Sequence, residues 1–267
     1  MNDQADALQL PVRRAMRYVV PLREGGSLPA VVEADDGELY VMKFRGAGQG
    51  TKALVAELIA GRIGQVLGLP VPELVLLEME SPIGRSEPNP EIRDLLNASI
   101  GLNLGMRYLP GALAYNPMDA STPDRDLASA IVWFDAYVTN VDRTARNVNM
   151  LIAEDRLWLI DHGATLIFHH DWTDHLGRSQ SPFPLIRQHV LLDRADRLAE
   201  ADARLRLRLS DERLAAIVRP TPADWLADEP QFESATAYRR GYVDYLRARR
   251  DGADYFVEEA HRAREQL

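Results

Sequence analysis

The periodicity of this chain changes once, and that change limits its fold more than any other feature. Up to about residue 110 the apolar residues fall in short runs separated by turn signals. Runs at 15–22, 30–34 and 39–44 are broken by Glu24-Gly25-Gly26-Ser27 and Asp35-Asp36-Gly37. That pattern predicts a three-stranded antiparallel meander with a glycine-rich first turn. Further strands are expected over 73–79 and 101–109. From residue 127 the apolar spacing is helical, interrupted by two short strands over 149–153 and 157–160 around a Glu154-Asp155 turn. Strands first and helices afterwards argue for an α+β fold, with a small β-rich lobe followed by a larger helical one. The boundary falls between residues 110 and 126. We assign 1–110 to the N-lobe and 111–267 to the C-lobe of a single domain.

One helix is expected inside the strand-rich part. Leu54, Val55, Leu58, Ile59, Ile63, Val66 and Leu67 keep helical spacing, with Thr51 as a candidate N-cap. Gly68 ends the helix, and Pro70 and Pro72 forbid its continuation. Gly61 and Gly64 share a face with Glu57, and each costs about 1 kcal/mol against Ala. They predict that this face presses closely on the sheet. Residues 81–90 read as a loop and 171–184 as a mobile polar loop. Ser210 and Thr221-Pro222 are helix start signals. The basic runs at 204–209 and 239–250 are expected on solvated helix faces, and Tyr238, Tyr242 and Tyr245 in packing.

Composition removes several kinds of chemistry. There is no Cys, so disulfides, thiolate metal sites and a cysteine nucleophile are excluded, which fits a cytoplasmic protein. With 31 Lys plus Arg against 40 Asp plus Glu, the net charge is −9, and the bulk field repels nucleic acid. No apolar run approaches the ~20 residues of a spanning helix. We therefore expect no membrane segment, and neither a secretory signal nor a prenylation motif is read.

The densest polar cluster is Asn140-Val141-Asp142-Arg143-Thr144-Ala145-Arg146-Asn147, followed by the expected hairpin and Leu159-Ile160-Asp161-His162-Gly163. Asp142 and Asn147 lie five positions apart in a loop after a helix, and Asp161 ends an apolar strand. Phosphoryl transfer from ATP needs such a set. One carboxylate accepts or orients the proton of the attacking hydroxyl, while an Asn and a second carboxylate hold Mg²⁺ on the phosphates. Mg²⁺ is hard and prefers these oxygen donors. Upstream lie the glycine-rich turn, then Lys43 on a strand between apolar neighbours, then Glu57 on the helix. A strand lysine in that setting calls for a paired charge, and kinases supply it from a helix Glu. Five of the six histidines are His162, His169, His170, His175 and His189. Their spacing matches no compact metal motif, and a polar segment lining the cleft mouth accounts for them.

The stretches GGSLPA, YVMKF, ALVAELIAGRIGQVLGLPVPE, GMRYLPGALAY, VTNVDRTARNVNML and LWLIDHGATLIFHH together resemble the HipA-like kinases, in a short form without the N-terminal extension of longer members. The resemblance spans most of residues 20–170. It implies a bilobal protein-kinase-like fold with ATP in the cleft. By family role Asp142 is the catalytic base, and Asn147 and Asp161 are the Mg²⁺ ligands. Lys43 binds the phosphates with Glu57 as its ion-pair partner. Gly25, Gly26 and Ser27 lie over the phosphates, and backbone groups around Tyr108 and Leu109 receive adenine. Ser27 occupies the place of a serine whose autophosphorylation silences longer relatives. The family also implies a Ser or Thr hydroxyl on a protein as acceptor. A DNA-binding antitoxin-like partner would be implied only for a toxin role. Two alternatives stay open: a small-molecule or lipid kinase, and a nucleotide-binding regulator without transfer activity. The metal-binding triplet departs from most protein kinases in carrying His162 in place of Phe, and no Ala-Pro-Glu motif closes an activation segment.

Overall fold

The computed structural model describes residues 10–22, 28–81, 83, 88–118, 123–227 and 229–267. The expected meander is present as β1 (Val12–Pro21), β2 (Ala30–Ala34) and β3 (Leu39–Lys43), paired antiparallel with Tyr18 opposite Val32 and Val32 opposite Tyr40. Leu22 N–H donates to Pro29 O at 2.7 Å beyond the first strand pair. Gly25, Gly26 and Ser27 lie outside the described residues. β4 (Leu74–Met79) and β5 (Gly101–Arg107) continue the sheet in the order β1-β2-β3-β5-β4. β1 and β4 then pair in parallel, Val12 opposite Leu76, and close the sheet into a barrel. Closure removes the exposed edges that an open five-stranded sheet would present.

The barrel has its own core of Ala30, Val32, Tyr40, Met42, Val75, Leu77 and Met79. Its end is covered by α2 (Pro90–Ala98), which inserts Ile92 and Leu96. That helix fills the stretch between the loop expected over 81–90 and the strand expected from 101, for which the sequence reading names no element. Its start is nevertheless written in the chain, since Asn89 Oδ1 accepts from Glu91 N–H at 2.9 Å and Pro90 takes the first helical position.

Helix α1 (Gly50–Leu67) lies between barrel and C-lobe and belongs to the large core. It begins one residue before Thr51, so the threonine is not its cap. Gln49 holds that place without a side-chain hydrogen bond. The reason is Gly50, whose φ of 73° is a turn that a side chain would resist. Gly68, at φ 77°, ends the helix in the left-handed conformation as expected. A Cβ on Gly61 would stand 2.7 Å from Leu74 Cδ1, so the glycine face does press on β4.

The C-lobe opens with β6 (Leu113–Ala114), which pairs with the hairpin β7 (Met150–Ala153) and β8 (Arg156–Leu159). Its centre is α3 (Arg125–Tyr137), capped by Asp124 and buried at every position from Ala128 to Tyr137. Around it stand the short α4 (His175–Arg178), α5 (Leu198–Leu205), α6 (Asp211–Val218, capped by Ser210), α7 (Ala235–Asp251) and α8 (Ala253–Glu265). Thr221-Pro222 introduces only a 3₁₀ turn, Ala223–Leu226.

Two expectations about this lobe are corrected. Segment 171–184 is packed, not free. Trp172 and Phe183 are buried, and Trp172 meets Tyr238, Tyr242 and Phe232 edge-on. Its short turns carry no period for a sequence to display. The second basic run is also not all solvated. Arg249 is fully buried on α7 and donates to Tyr137 O and Ala136 O at 2.9 and 2.8 Å, and to Ser179 O and Ser181 O at 2.8 Å. One guanidinium thus satisfies carbonyls left over at the end of α3 and ties 179–181 to the core. Tyr238, Tyr242 and Tyr245 pack as expected. Among the described residues no helix is long and apolar enough to cross a membrane.

Candidate active site

Strand alternation aims Lys43. On β3, Tyr40 and Met42 point into the barrel, so Val41 and Lys43 face the other way, towards α1. There Lys43 Nζ lies 2.6 Å from Glu57 Oε2 and 2.6 Å from Asp161 Oδ1. Three residues far apart in the chain meet at one ammonium. Glu57 is 2% exposed and the Lys43 side chain 14%. Burial pushes the Glu57 carboxyl up, but Lys43 and His162 outweigh it and hold the group well below the usual carboxylate range. Burial likewise disfavours the Lys43 cation, and Glu57 with Asp161 more than compensate, so its pKa stands above the ordinary lysine value. The lysine is therefore charged at neutral pH although it is enclosed.

Asp142 lies in the loop after α3. Its Oδ2 accepts from Asn147 Nδ2 at 2.7 Å and Asn149 Nδ2 at 3.2 Å, and its amide donates to Asn140 Oδ1 at 3.0 Å. Asn140 and Asn149 were not singled out as site residues. Asn149 has φ 47°, a backbone that Asn tolerates better than most side chains. The second turn, at Asp161, also runs through the left-handed region, with φ 55°.

The loop stands on a buried charge network. Asp135, on α3, has no exposed side-chain surface, nor has Arg143. Asp135 Oδ2 accepts from Arg143 Nε at 2.6 Å and contacts His189 Nε2 at 2.9 Å, while Oδ1 accepts from Asn140 Nδ2 at 2.7 Å. Arg143 also donates to Asn149 O. Burial raises the Asp135 pKa, Arg143 and His189 lower it further, and the net shift is downward. In the sequence Asp135 stands out only as a charge inside the apolar run 131–138. That interruption was the available signal.

The histidines do not line the cleft mouth as a group. His162, His169 and His189 are buried, each in a different setting: Glu57, Tyr242 Oη at 2.9 Å, and Asp135. Burial, then the nearby His170 and Lys52, drive the His169 pKa well below the ordinary value. Among the described residues no three His, Asp or Glu side chains form a metal-holding group. Two oxygen donors remain suited to a divalent cation. Asn147 spends its amide nitrogen on Asp142, which leaves the carbonyl oxygen, and Asp161 has its second carboxylate oxygen. Oxygen donors of this kind suit Mg²⁺, which keeps waters and phosphate oxygens as its other ligands.

After β5 the chain passes Tyr108 and Leu109, both half-buried, between the lobes. Tyr108 N–H donates to Leu39 O at 2.9 Å, so that amide is committed to the barrel. The C-lobe grips α1 at both ends. Lys52 Nζ donates to His169 O at 2.8 Å and to Glu229 at 2.9 Å, and Arg208 donates to Leu67 O at 2.6 Å.

A sequence model of the HipA-like kinase family matches residues 16–258. This chain belongs to the HipA-like kinases. The match begins within β1 and takes in the rest of the barrel, α1, the Asp142 loop and most of the helical lobe. No curated protein matches the HipA-like chain in sequence. Among solved structures, the crystal structure of a Helicobacter pylori proinflammatory kinase, CtkA, superimposes with a TM-score of 0.57 at 14% identity, covering 94% of this chain and 98% of that one. The shared fold is the bilobal protein-kinase-like one. A Golgi casein kinase gives a TM-score of 0.47 at 12% identity over 97% of this chain and 75% of its own. A form of that enzyme with Mn and ADP bound gives 0.48 at 13%, over 97% and 77%.

Proposed function

We propose that this HipA-like kinase is an ATP- and Mg²⁺-dependent protein kinase acting on Ser or Thr hydroxyls, with residues 1–110 as N-lobe and 111–267 as C-lobe. The observation that carries the reading is Lys43, kept cationic between Glu57 and Asp161 at 2.6 Å each. A buried lysine held by one structural carboxylate and one half-exposed carboxylate is poised to exchange part of the second contact for a phosphate oxygen. Glu57 keeps the ammonium aimed while that exchange occurs.

The remaining roles follow from the donor set. Asp142 receives the proton as the acceptor oxygen attacks the γ-phosphorus, and ADP leaves with its bridging oxygen. Asn147 and Asn149 orient that carboxylate through Oδ2. Asn147 and Asp161 would hold Mg²⁺, which when bound neutralises phosphate charge. Gly25, Gly26 and Ser27 cover the phosphates in this reading, and Ser27 is a site of autophosphorylation. Backbone groups of Tyr108 and Leu109, other than the Tyr108 amide, receive adenine. The acceptor class rests on family membership.

Intact-protein mass spectrometry after incubation with Mg-ATP tests the reading on wild type and Asp142→Asn. We expect added phosphate on wild type only, with Ser27 among the mapped sites. Phosphate on neither protein, together with no binding of a non-hydrolysable ATP analogue, would reject the kinase assignment of this site. Analogue binding with transfer only to small-molecule hydroxyls would reject the protein acceptor alone.

A further inference from the structure

The triplet Asp161-His162-Gly163 carries a histidine whose ring is 1% exposed. Its Nδ1 lies 3.5 Å from Glu57 Oε1, while Lys43 holds the other oxygen, Oε2, at 2.6 Å. The two oxygens of one buried carboxylate are thus held from opposite sides. The distance marks an electrostatic contact looser than a short hydrogen bond. The ring edge also meets Phe134 of α3, with centroids 5.7 Å apart, and Nε2 has no partner among the described residues.

Lys43 in turn contacts Asp161, the neighbour of His162 in the chain. The contacts close a ring: Asp161 to Lys43, Lys43 to Glu57, Glu57 to His162, and the peptide bond back to Asp161. The turn is stitched down on its far side as well, because Thr165 Oγ1 and N–H both donate to His162 O, at 2.8 and 3.1 Å. A Cβ on Gly163 would stand 3.5 Å from Glu57 Oε2, so turn and helix are already in contact. An apolar ring at 162 could fill the same space, but it could not hold Oε1.

We propose that His162 is a positioning residue that locks Glu57, and through it Lys43, to the Asp161 turn, so that helix α1 and the metal-binding turn hold their working arrangement as one unit. The buried charge under Asp142, Asp135, is met by Arg143 and His189 of this chain itself, and α1 is gripped at both ends by Lys52 and Arg208. With His162 in place, nothing in this ring waits on phosphorylation of an activation segment. His162 acts only through Glu57. This inference rests on the nucleotide-binding role given to Lys43 above.

The test is a double-mutant cycle on the full chain with Glu57→Gln and His162→Phe. Affinity for a non-hydrolysable ATP analogue with Mg²⁺ and steady-state turnover are both measured. His162→Phe should weaken analogue binding about threefold to tenfold, the scale of one ordinary hydrogen bond, as befits a contact at 3.5 Å. In the Glu57→Gln background the same change should have less than a twofold effect. His162→Gln, which keeps a donor, should recover most of the affinity. Equal losses in both backgrounds, or no loss from His162→Phe, would reduce His162 to packing. If His162→Phe does not fold, the comparison of His162→Gln with His162→Leu decides by the same criterion. Wild type that fails to bind the analogue would overturn the nucleotide site and this inference together, whereas binding wild type with an unchanged His162→Phe overturns only the latter.

Discussion

Asp135→Asn would leave the Arg143 guanidinium sealed in the C-lobe without its counter-charge. Both side chains are at 0% exposure, so water cannot take over the lost partner. Breaking a buried pair from one side costs about 3–5 kcal/mol. The amide oxygen of Asn can still accept one hydrogen bond, which puts the expectation near the lower end, about 3 kcal/mol. Against a total stability of about 5–15 kcal/mol that is a large fraction. At about 2–4 °C per kcal/mol for a chain of this order of size, Tm should fall by roughly 6–12 °C. Differential scanning calorimetry measures it. The pH dependence supplies a second reading. The Asp135 pKa is lowered in the folded state, so its stabilisation is present above the unfolded value of about 4 and is lost as pH falls through and below that value. The gap between wild type and Asp135→Asn should be constant from pH 6 to 8 and narrow in acid. Turnover should fall too, because Asn140 and Arg143 hold the loop that carries Asp142. A Tm within 2 °C of wild type, or a gap that does not narrow below pH 4, would refute the charge argument.

Other substitutions separate chemistry from support. Asp142→Asn should leave Tm and ATP-analogue affinity nearly unchanged while lowering turnover about 10²–10⁴-fold, the usual contribution of a general base; an unchanged rate in single-turnover assays assigns the base elsewhere. Lys43→Met should weaken analogue binding and also lower Tm, because Glu57 is then a buried carboxylate facing only His162; binding titration and calorimetry should move together. Arg249→Gln strips hydrogen bonds from carbonyls at 136, 137, 179 and 181, and should cost about 2–4 kcal/mol in denaturant unfolding with little change in the nucleotide affinity of the protein that remains folded.

Elements whose information is local could be read from the chain. Strands bounded by turn signals, the hairpin around Glu154-Asp155, the end of α1 at Gly68 and the Ser210 cap each depend on a few adjacent residues, and each lies within three residues of its expected place. The Asp142, Asn147 and Asp161 set could be picked out as candidates because loop chemistry is written as spacing. Helix α2 was not read, although Asn89-Pro90 supplied a start signal, because its nine residues are short beside the surrounding proline-rich stretch. The entry to α1 depends on the backbone freedom of Gly50 rather than on a capping side chain, so Thr51 misled.

The rest depends on contacts between distant positions. Lys43 and Asp161 are 118 residues apart, and no local pattern states that they share a proton-rich centre with Glu57. The parallel pairing of β1 with β4, Val12 opposite Leu76, joins distant parts of the chain to close the barrel and is invisible to periodicity. Arg249 reads as one more arginine on a basic face until the carbonyls of α3 and of 179–181 arrive around it. Asp135 reads as a blemish in an apolar run until Arg143 and His189 converge on it. Secondary structure follows from interactions a few residues long, and so does the presence of the candidate catalytic side chains. Their protonation, aim and mutual support follow from burial and Coulomb contact across the folded chain, which exist only once the lobes have closed on one another.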